Sequence, residues 1–373
     1  MTLFAYGFRA FFLLAATFTV LQMPLWILGL AQIAPTGGIA WHAHEMIFGF
    51  VTAVIAGFLL TAARNWTGRD TASGPSLAFL CALWLAGRIA VALAAVLPPA
   101  LVGAVDLCFL PALGFFVARP ILQAKQHRQL AILGVLFLLA VANGVFYFTD
   151  AKRTAWLVAL DLVLALIVII GGRVIPFFTR SAIAGAPLRS YRVIEALSVA
   201  SMAFVLGCEI AGDTRALGAA CLFAGLVQAM RLAGWASFRT TRAPILWVLH
   251  KGYAWLALGL VLRGLSLLGV PLPEPSAIHV LTTGAIGTLI LGMMSRVALG
   301  HTGRPMIAPA SVVVGFVLLA IATPVRAFLP VIAPASAMVW YAIAGGAWTL
   351  GFALYLARYA PWLVSPRADG KPG

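Results

Sequence analysis

Charge is what this sequence lacks. Aspartate and glutamate number 10 in 373 residues, lysine and arginine 25, and together they make up 9% of the chain, against about 25% in an ordinary soluble domain. So few charges exclude a soluble enzyme or a soluble binding domain. Cysteine is scarce as well. Cys81, Cys108, Cys208 and Cys221 fall within or at the edges of apolar runs and show no CxxC spacing. They read as small buried residues rather than a disulfide framework or a thiolate metal site. The chain also has no low-complexity stretch.

What it has is apolar length. Apolar types make up 63% of the residues, gathered into runs of about 20, enough to cross a bilayer as a helix. Runs near 10–30, 43–63, 77–97, 99–118, 129–149, 154–172, 192–211, 216–236, 245–269, 278–298, 308–329 and 335–357 predict twelve spans. The expected fold class is all-α, a polytopic integral membrane helical bundle. It forms a single transmembrane domain over 1–362, followed by a disordered cytoplasmic tail over 363–373. The first run is too long for a signal peptide core and lacks a convincing cleavage site, so it is expected to be retained as a span.

A net charge of +15 invites a nucleic-acid reading, but its distribution argues against one. With the N-terminus inside, 19 of the 25 basic residues fall at predicted cytoplasmic loops and ends, among them Arg64, Arg69, Arg128, Arg180, Arg242 and Arg304. The opposite side holds only Lys152, Arg153, Arg215 and Arg326. This asymmetry orients short loops in a membrane. It predicts a multi-pass protein with both termini cytoplasmic, a lipid bilayer as its partner and no nucleic acid.

One segment recurs. HEMIFGFVTAVIAGFLLTAARNWTGR at 44–69 is echoed by HVLTTGAIGTLILGMMSRVALGHTGR at 279–304. His44, Gly49, Gly57, Thr67, Gly68 and Arg69 correspond to His279, Gly284, Gly292, Thr302, Gly303 and Arg304. The echo predicts an internal repeat of helix 2 and helix 10. Because these helices run in the same direction, His44 and His279 are expected at one depth. Two facing imidazoles can clamp haem iron or copper inside a bundle. The other reading is a hydrogen-bonding histidine at each membrane edge.

The chain has six histidines. His42 and His44 are about 200° apart on a straight helix, so one metal cannot take both. His42, Glu45 and Met46 share a face through i, i+3 and i, i+4 spacing and offer a second site for copper or non-haem iron. Glu45 is alternatively the hydrogen-bond partner that fixes a ligand histidine. His250 and His301 lie toward the cytoplasmic side, and His127 sits in a basic loop as a solvated residue. The stripes Gly49–Ala53–Gly57 and Gly284–Thr288–Gly292 serve close helix packing or make room for a flat macrocycle. Arg69 and Arg304 are candidates to anchor lipid phosphate or a propionate.

Charges inside a membrane are costly and are paired or functional. Arg88 and Asp106 are expected to pair between neighbouring spans. Asp161 reads as one half of a structural ion pair or as a station on a proton path. Pro176, in GGRVIPFFTR, is expected to stop its helix.

Taken together, these segments resemble the NnrS family of bacterial inner-membrane proteins. The resemblance rests on FRAFFLLAA at 8–16, WHAHEMIFGF at 41–50, IAGFLLTAARNWTGR at 55–69 and LWLAGRIA at 83–90. IGGRVIPFFTR at 170–180, LHKGYAW at 249–255 and MMSRVALGHTGRP at 293–305 extend it over nearly the whole chain. Arg64 stands where the pattern leads one to expect proline. The resemblance implies a protein of denitrification and the nitric oxide response, containing haem (haem b) with or without copper. It makes His42, His44, Glu45, His250, His279 and His301 the candidates for cofactor and active-site roles.

Three functions then compete. The first is a redox-active haem protein that binds or reduces nitric oxide or a similar small diatomic ligand, fed by a membrane or periplasmic electron donor; here Glu45 and His42 are the candidate catalytic groups. The second is a non-enzymatic haem or copper sensor, store or delivery factor. The third is a secondary transporter, since many spans and internal repetition are also transporter traits.

Overall fold

A computed structural model describes residues 2–34 and 37–371. Among these residues the chain is all helix and turn, with no strand. Twelve helices are long and apolar enough to cross a membrane. In chain order they are α1 (Gly7–Leu30), α2 (Gly38–Thr67), α3 (Pro75–Ala92), α4 (Pro99–Gln123), α5 (His127–Phe148) and α6 (Lys152–Ala182). The second half comprises α7 (Arg192–Ala211), α8 (Thr214–Ala233), α9 (Pro244–Leu267), α10 (Glu274–His301), α11 (Ala310–Ile332) and α12 (Pro334–Val364).

The two helices that carry the echoed segment are the centre of the bundle. Over their most apolar windows α2 is 83% buried and α10 is 72%, whereas the other ten span 28–61%. The outer helices turn large side chains away from the protein, including Phe79, Phe115, Phe137 and Phe204, each more than half exposed. In water such a surface would aggregate; in lipid it is the expected one.

Both central helices are interrupted in the same way. In α2 an α-helical start (Gly38–His44) gives way to a π-helical stretch, Glu45–Val51, before α-helix resumes at Thr52. In α10 the α-helical start is Glu274–His279, the π stretch is Val280–Gly287, and α-helix resumes at Thr288. Each π stretch begins one residue after the echoed histidine. Such i→i+5 winding is rare and frequent at functional sites. It loosens backbone carbonyls from the ladder, and neighbours take them up: Trp84 Nε1 donates to the Gly49 carbonyl at 2.9 Å, and Thr52 Oγ1 donates to that of Phe48.

The glycine stripes serve packing. A Cβ on Gly57 would lie 2.8 Å from the Phe12 ring, and one on Gly292 would lie 2.8 Å from Val248. Proline does not stop α6, which continues through Pro176 to Ala182. A proline inside a membrane helix is tolerated because neighbouring groups satisfy the freed backbone.

The segment expected as a disordered tail is docked as far as Asp369. Leu363 is fully buried, Ala368 N donates to the Thr302 carbonyl at 2.9 Å, and Arg367 Nη1 donates to the His301 carbonyl at 3.2 Å. Residues 372–373 lie outside the described residues.

Candidate cofactor cavity

At the end of the bundle where α2 and α10 begin, these helices enclose a cavity of about 140 Å³ together with α1, α6, α11 and α12. Its walls are apolar and aromatic, with Met23, Trp26, Phe50 and Trp348 prominent. Polar groups enter at few points: His42, His279, Thr282, Thr283 and Arg326. An apolar pocket with a few convergent polar groups is the usual form of a ligand site.

His42 lies flat on Trp26, ring centres 4.4 Å apart and planes 6° from parallel. Its Nδ1 is buried and has no hydrogen-bond partner. His279 donates from Nδ1 to the Pro275 carbonyl at 2.6 Å, which leaves Nε2 as the nitrogen with a lone pair. A ligand imidazole is characteristically oriented by such a bond on its other nitrogen. Arg326 rests on the Tyr341 ring at 4.4 Å. It brings the one guanidinium among the lining residues.

His44 does not join them. It is 1% exposed and faces away from the cavity into a cluster of charged groups. Nδ1 donates to Glu45 Oε1 at 3.0 Å, and Nε2 lies 3.1 Å from Asn143 Oδ1 and 3.3 Å from Asp106 Oδ2. Acceptors at both nitrogens leave no lone pair for a metal. Arg88 completes the cluster, donating to Glu45 Oε1 and to Asp106 Oδ1, while Asn143 Nδ2 donates to Asp106 Oδ2 at 2.9 Å. The expected Arg88–Asp106 pair is present, enlarged by Glu45 and His44. Glycines make the space: a Cβ at Gly49 would stand 2.9 Å from Arg88 Nη1, and one at Gly87 would stand 2.6 Å from Asp106 Oδ1.

The expected symmetrical pair, His44 with His279, is therefore not the pair that shares a cavity. His42 and His279 share it. The reason is electrostatic: the charges on α3 and α4 capture His44 and Glu45 on one face of α2, which turns His42 and Met46 to the other. The proposed trio of His42, Glu45 and Met46 is split for the same reason.

The remaining candidates are scattered. His250 lies between Thr179 Oγ1 at 2.8 Å and Ser237 Oγ at 2.9 Å. Because the Thr179 hydroxyl donates to the Ile175 carbonyl, His250 Nε2 donates to Thr179 and Nδ1 accepts from Ser237. The His301 ring sits 5.4 Å from that of Phe8, without a partner in common with His250. Arg69 is solvent-side and donates to Gln123 at 3.4 Å; Arg304 covers Trp362 at 4.5 Å. Both follow the far ends of α2 and α10, a helix length from His42 and His279, roughly 40 Å at the usual rise per residue. Arg326, Trp26 and Thr282–Thr283 were not singled out from the sequence as site residues. Only the rarity of basic residues on its side of the membrane could have pointed to Arg326.

A second ionic cluster braces α10. Arg263 Nη1 donates to Asp161 Oδ1 at 3.0 Å and Nη2 to Glu209 Oε2 at 2.5 Å. Its Nε donates to Glu274 Oε1 at 3.4 Å, one residue before the proline that holds His279. Asp161 is thus part of a structural ion cluster.

Among the described residues no three of His, Cys, Asp and Glu converge as a metal-ion site. The cavity thus offers two imidazoles and no three-residue cage. No curated protein matches the chain. The sequence model of one family, described as NnrS protein, matches residues 2–367. That span covers the cavity, both charged clusters and all twelve helices, and the chain belongs to the NnrS family, a membership that supports a multi-pass membrane protein of the nitric oxide response.

Proposed function

We propose that this protein binds haem (haem b) in the cavity between α2 and α10, with His42 and His279 as the iron-binding imidazoles and nitric oxide or a similar diatomic as the ligand. One observation carries the reading: two imidazoles with nitrogens not engaged by protein partners line one apolar cavity. The donor chemistry fits a haem, which needs only one or two axial ligands. The Arg326 guanidinium suits a propionate. The cavity is open at its rim, where Ile39 is 72% exposed. Met46 lines the cavity beside His42 and His279 while Glu45 is turned away, so copper at the same imidazoles is the second reading.

Held by His42 and His279, a haem would supply an iron that nitric oxide can bind by displacing one of the two imidazoles. The chain's own residues do the rest. Trp26 holds the His42 ring by stacking, the Pro275 carbonyl orients His279, and the aromatic walls exclude water. The His44–Glu45–Arg88–Asp106 cluster braces the first π stretch from behind. Glu45 is turned from the cavity into that cluster, which favours binding of nitric oxide over its reduction. A sensor, store or buffer in the inner membrane, with both termini cytoplasmic, is the form this reading takes.

The test is an absorbance spectrum of the purified protein. A haem band that shifts on adding nitric oxide is expected. His42→Ala and His279→Ala each lose the haem, and His127→Ala, exposed at the start of α5, keeps it. Wild-type protein that stays free of haem when haem is supplied during expression sinks the proposal.

A further inference from the structure

A second cavity lies below the first. It has a volume of about 110 Å³, and α2, α6 and α10 wall it, with Phe12 of α1. Its lining is Phe, Val, Ile, Leu, Gly and Met throughout. Water finds no hydrogen-bond partner there, and an apolar cavity of this size stays dry and takes small apolar guests such as xenon or benzene. Much of the wall is shielded: Ile55, Leu166, Leu289 and Ile290 are each 5–8% exposed.

Two residues line both cavities, Val51 and Ile286. Val51 is the last residue of the first π stretch and Ile286 the last but one of the second. The partition between the cavities is therefore made where the two irregular segments end. Both are branched aliphatic residues, whose side chains carry no ion pair or hydrogen bond.

From this continuity we infer that the lower cavity binds small apolar gas molecules and passes them across the Val51–Ile286 partition to the His42–His279 cavity. The identity of the gas as nitric oxide rests on the function proposed above; the site itself does not. Nitric oxide is small, weakly polar and concentrates in lipid, so an apolar antechamber on the membrane side suits it.

Xenon tests the site directly. Crystals of the full chain under xenon pressure should show anomalous density among Ile55, Leu166 and Ile290. Ile290→Trp should abolish that density, and Ile290→Ala should keep or enlarge it. No xenon in wild type, or a lipid acyl chain in the same space, overturns the site. Passage is tested by nitric oxide association with the haem-loaded protein. Ile290→Trp should slow it about tenfold with the absorbance spectrum unchanged, while Phe137→Trp on the lipid face of α5 should leave it as in wild type. Xenon bound but association unchanged refutes passage. If Ile290→Trp does not fold, Ile290→Ala must bind nitric oxide at least as fast as wild type, and slower association refutes it equally. Xenon in a protein that takes up no haem refutes the functional reading and, with it, passage, and leaves the gas site standing.

Discussion

His42 and His44 stand two positions apart on α2 and face opposite environments. His42 stacks on Trp26 at the wall of an apolar cavity, and His44 is held between the carboxylates of Glu45 and Asp106. The two should therefore fail differently when removed. His42→Ala is expected to lose cofactor with little loss of stability. His44→Ala leaves buried acceptors without a donor and should cost about 1–3 kcal/mol of stability. Thermal unfolding in detergent, read beside haem content, separates them. Equal unfolding temperatures for both variants, each free of haem, would return His44 to the ligand set.

Arg88 is the cation between Glu45 and Asp106. Arg88→Met leaves two buried carboxylates uncompensated, and breaking a buried pair from one side costs about 3–5 kcal/mol. The variant should be found largely in degraded or aggregated form. Adding Glu45→Gln and Asp106→Asn to Arg88→Met should recover much of the folded yield. A single variant as stable as wild type contradicts the cluster's bracing role.

Two helical glycines should respond differently to one methyl group. At Gly87 a Cβ would meet Asp106 Oδ1 at 2.6 Å and its Cα at 3.3 Å, whereas at Gly114 it meets nothing within 4 Å. Gly87→Ala should destabilise by about 1–3 kcal/mol through overpacking, and Gly114→Ala should be neutral or slightly stabilising. Unfolding midpoints of both variants decide it.

The docked tail offers a pH test outside the membrane helices. Arg367 donates to both oxygens of Asp369, and this hydrogen bond draws the Asp369 carboxyl from 3.8 down to about 2. A carboxyl lowered on folding adds stability above its unfolded value and loses it as pH falls through the folded one. Protection of residues 365–371 from proteolysis should be constant from neutral pH to about pH 4 and fade only toward pH 2. Gly303→Ala, at φ +72° with its Cβ 2.5 Å from Asp369, should release the tail at every pH.

Topology gives the last expectation. Reporter fusions in the connections 31–37 and 268–273 should read the outer side, and fusions in 68–74 and 302–309 the cytoplasmic side. Finding 31–37 and 68–74 on one side would refute the assignment of α2.

The sequence by itself determined the twelve helices, because bilayer-length apolar runs have no other stable form when backbone groups must be satisfied within the segment. It also marked α2 and α10 as special, through the shared His, Gly and Thr-Gly-Arg positions, and it placed Arg88 opposite Asp106. Which histidine faces the cavity was decided only by tertiary structure. A helical wheel assumes one winding, and the π stretches change it at Glu45 and Val280. The wheel also treats every polar residue on a helix alike. Asp106, Asn143 and Arg88 come from helices distant in sequence, and their charges draw His44 and Glu45 to one side. Arg326 reached the cavity in the same way, through the packing of α11, a long-range contact with no local signature.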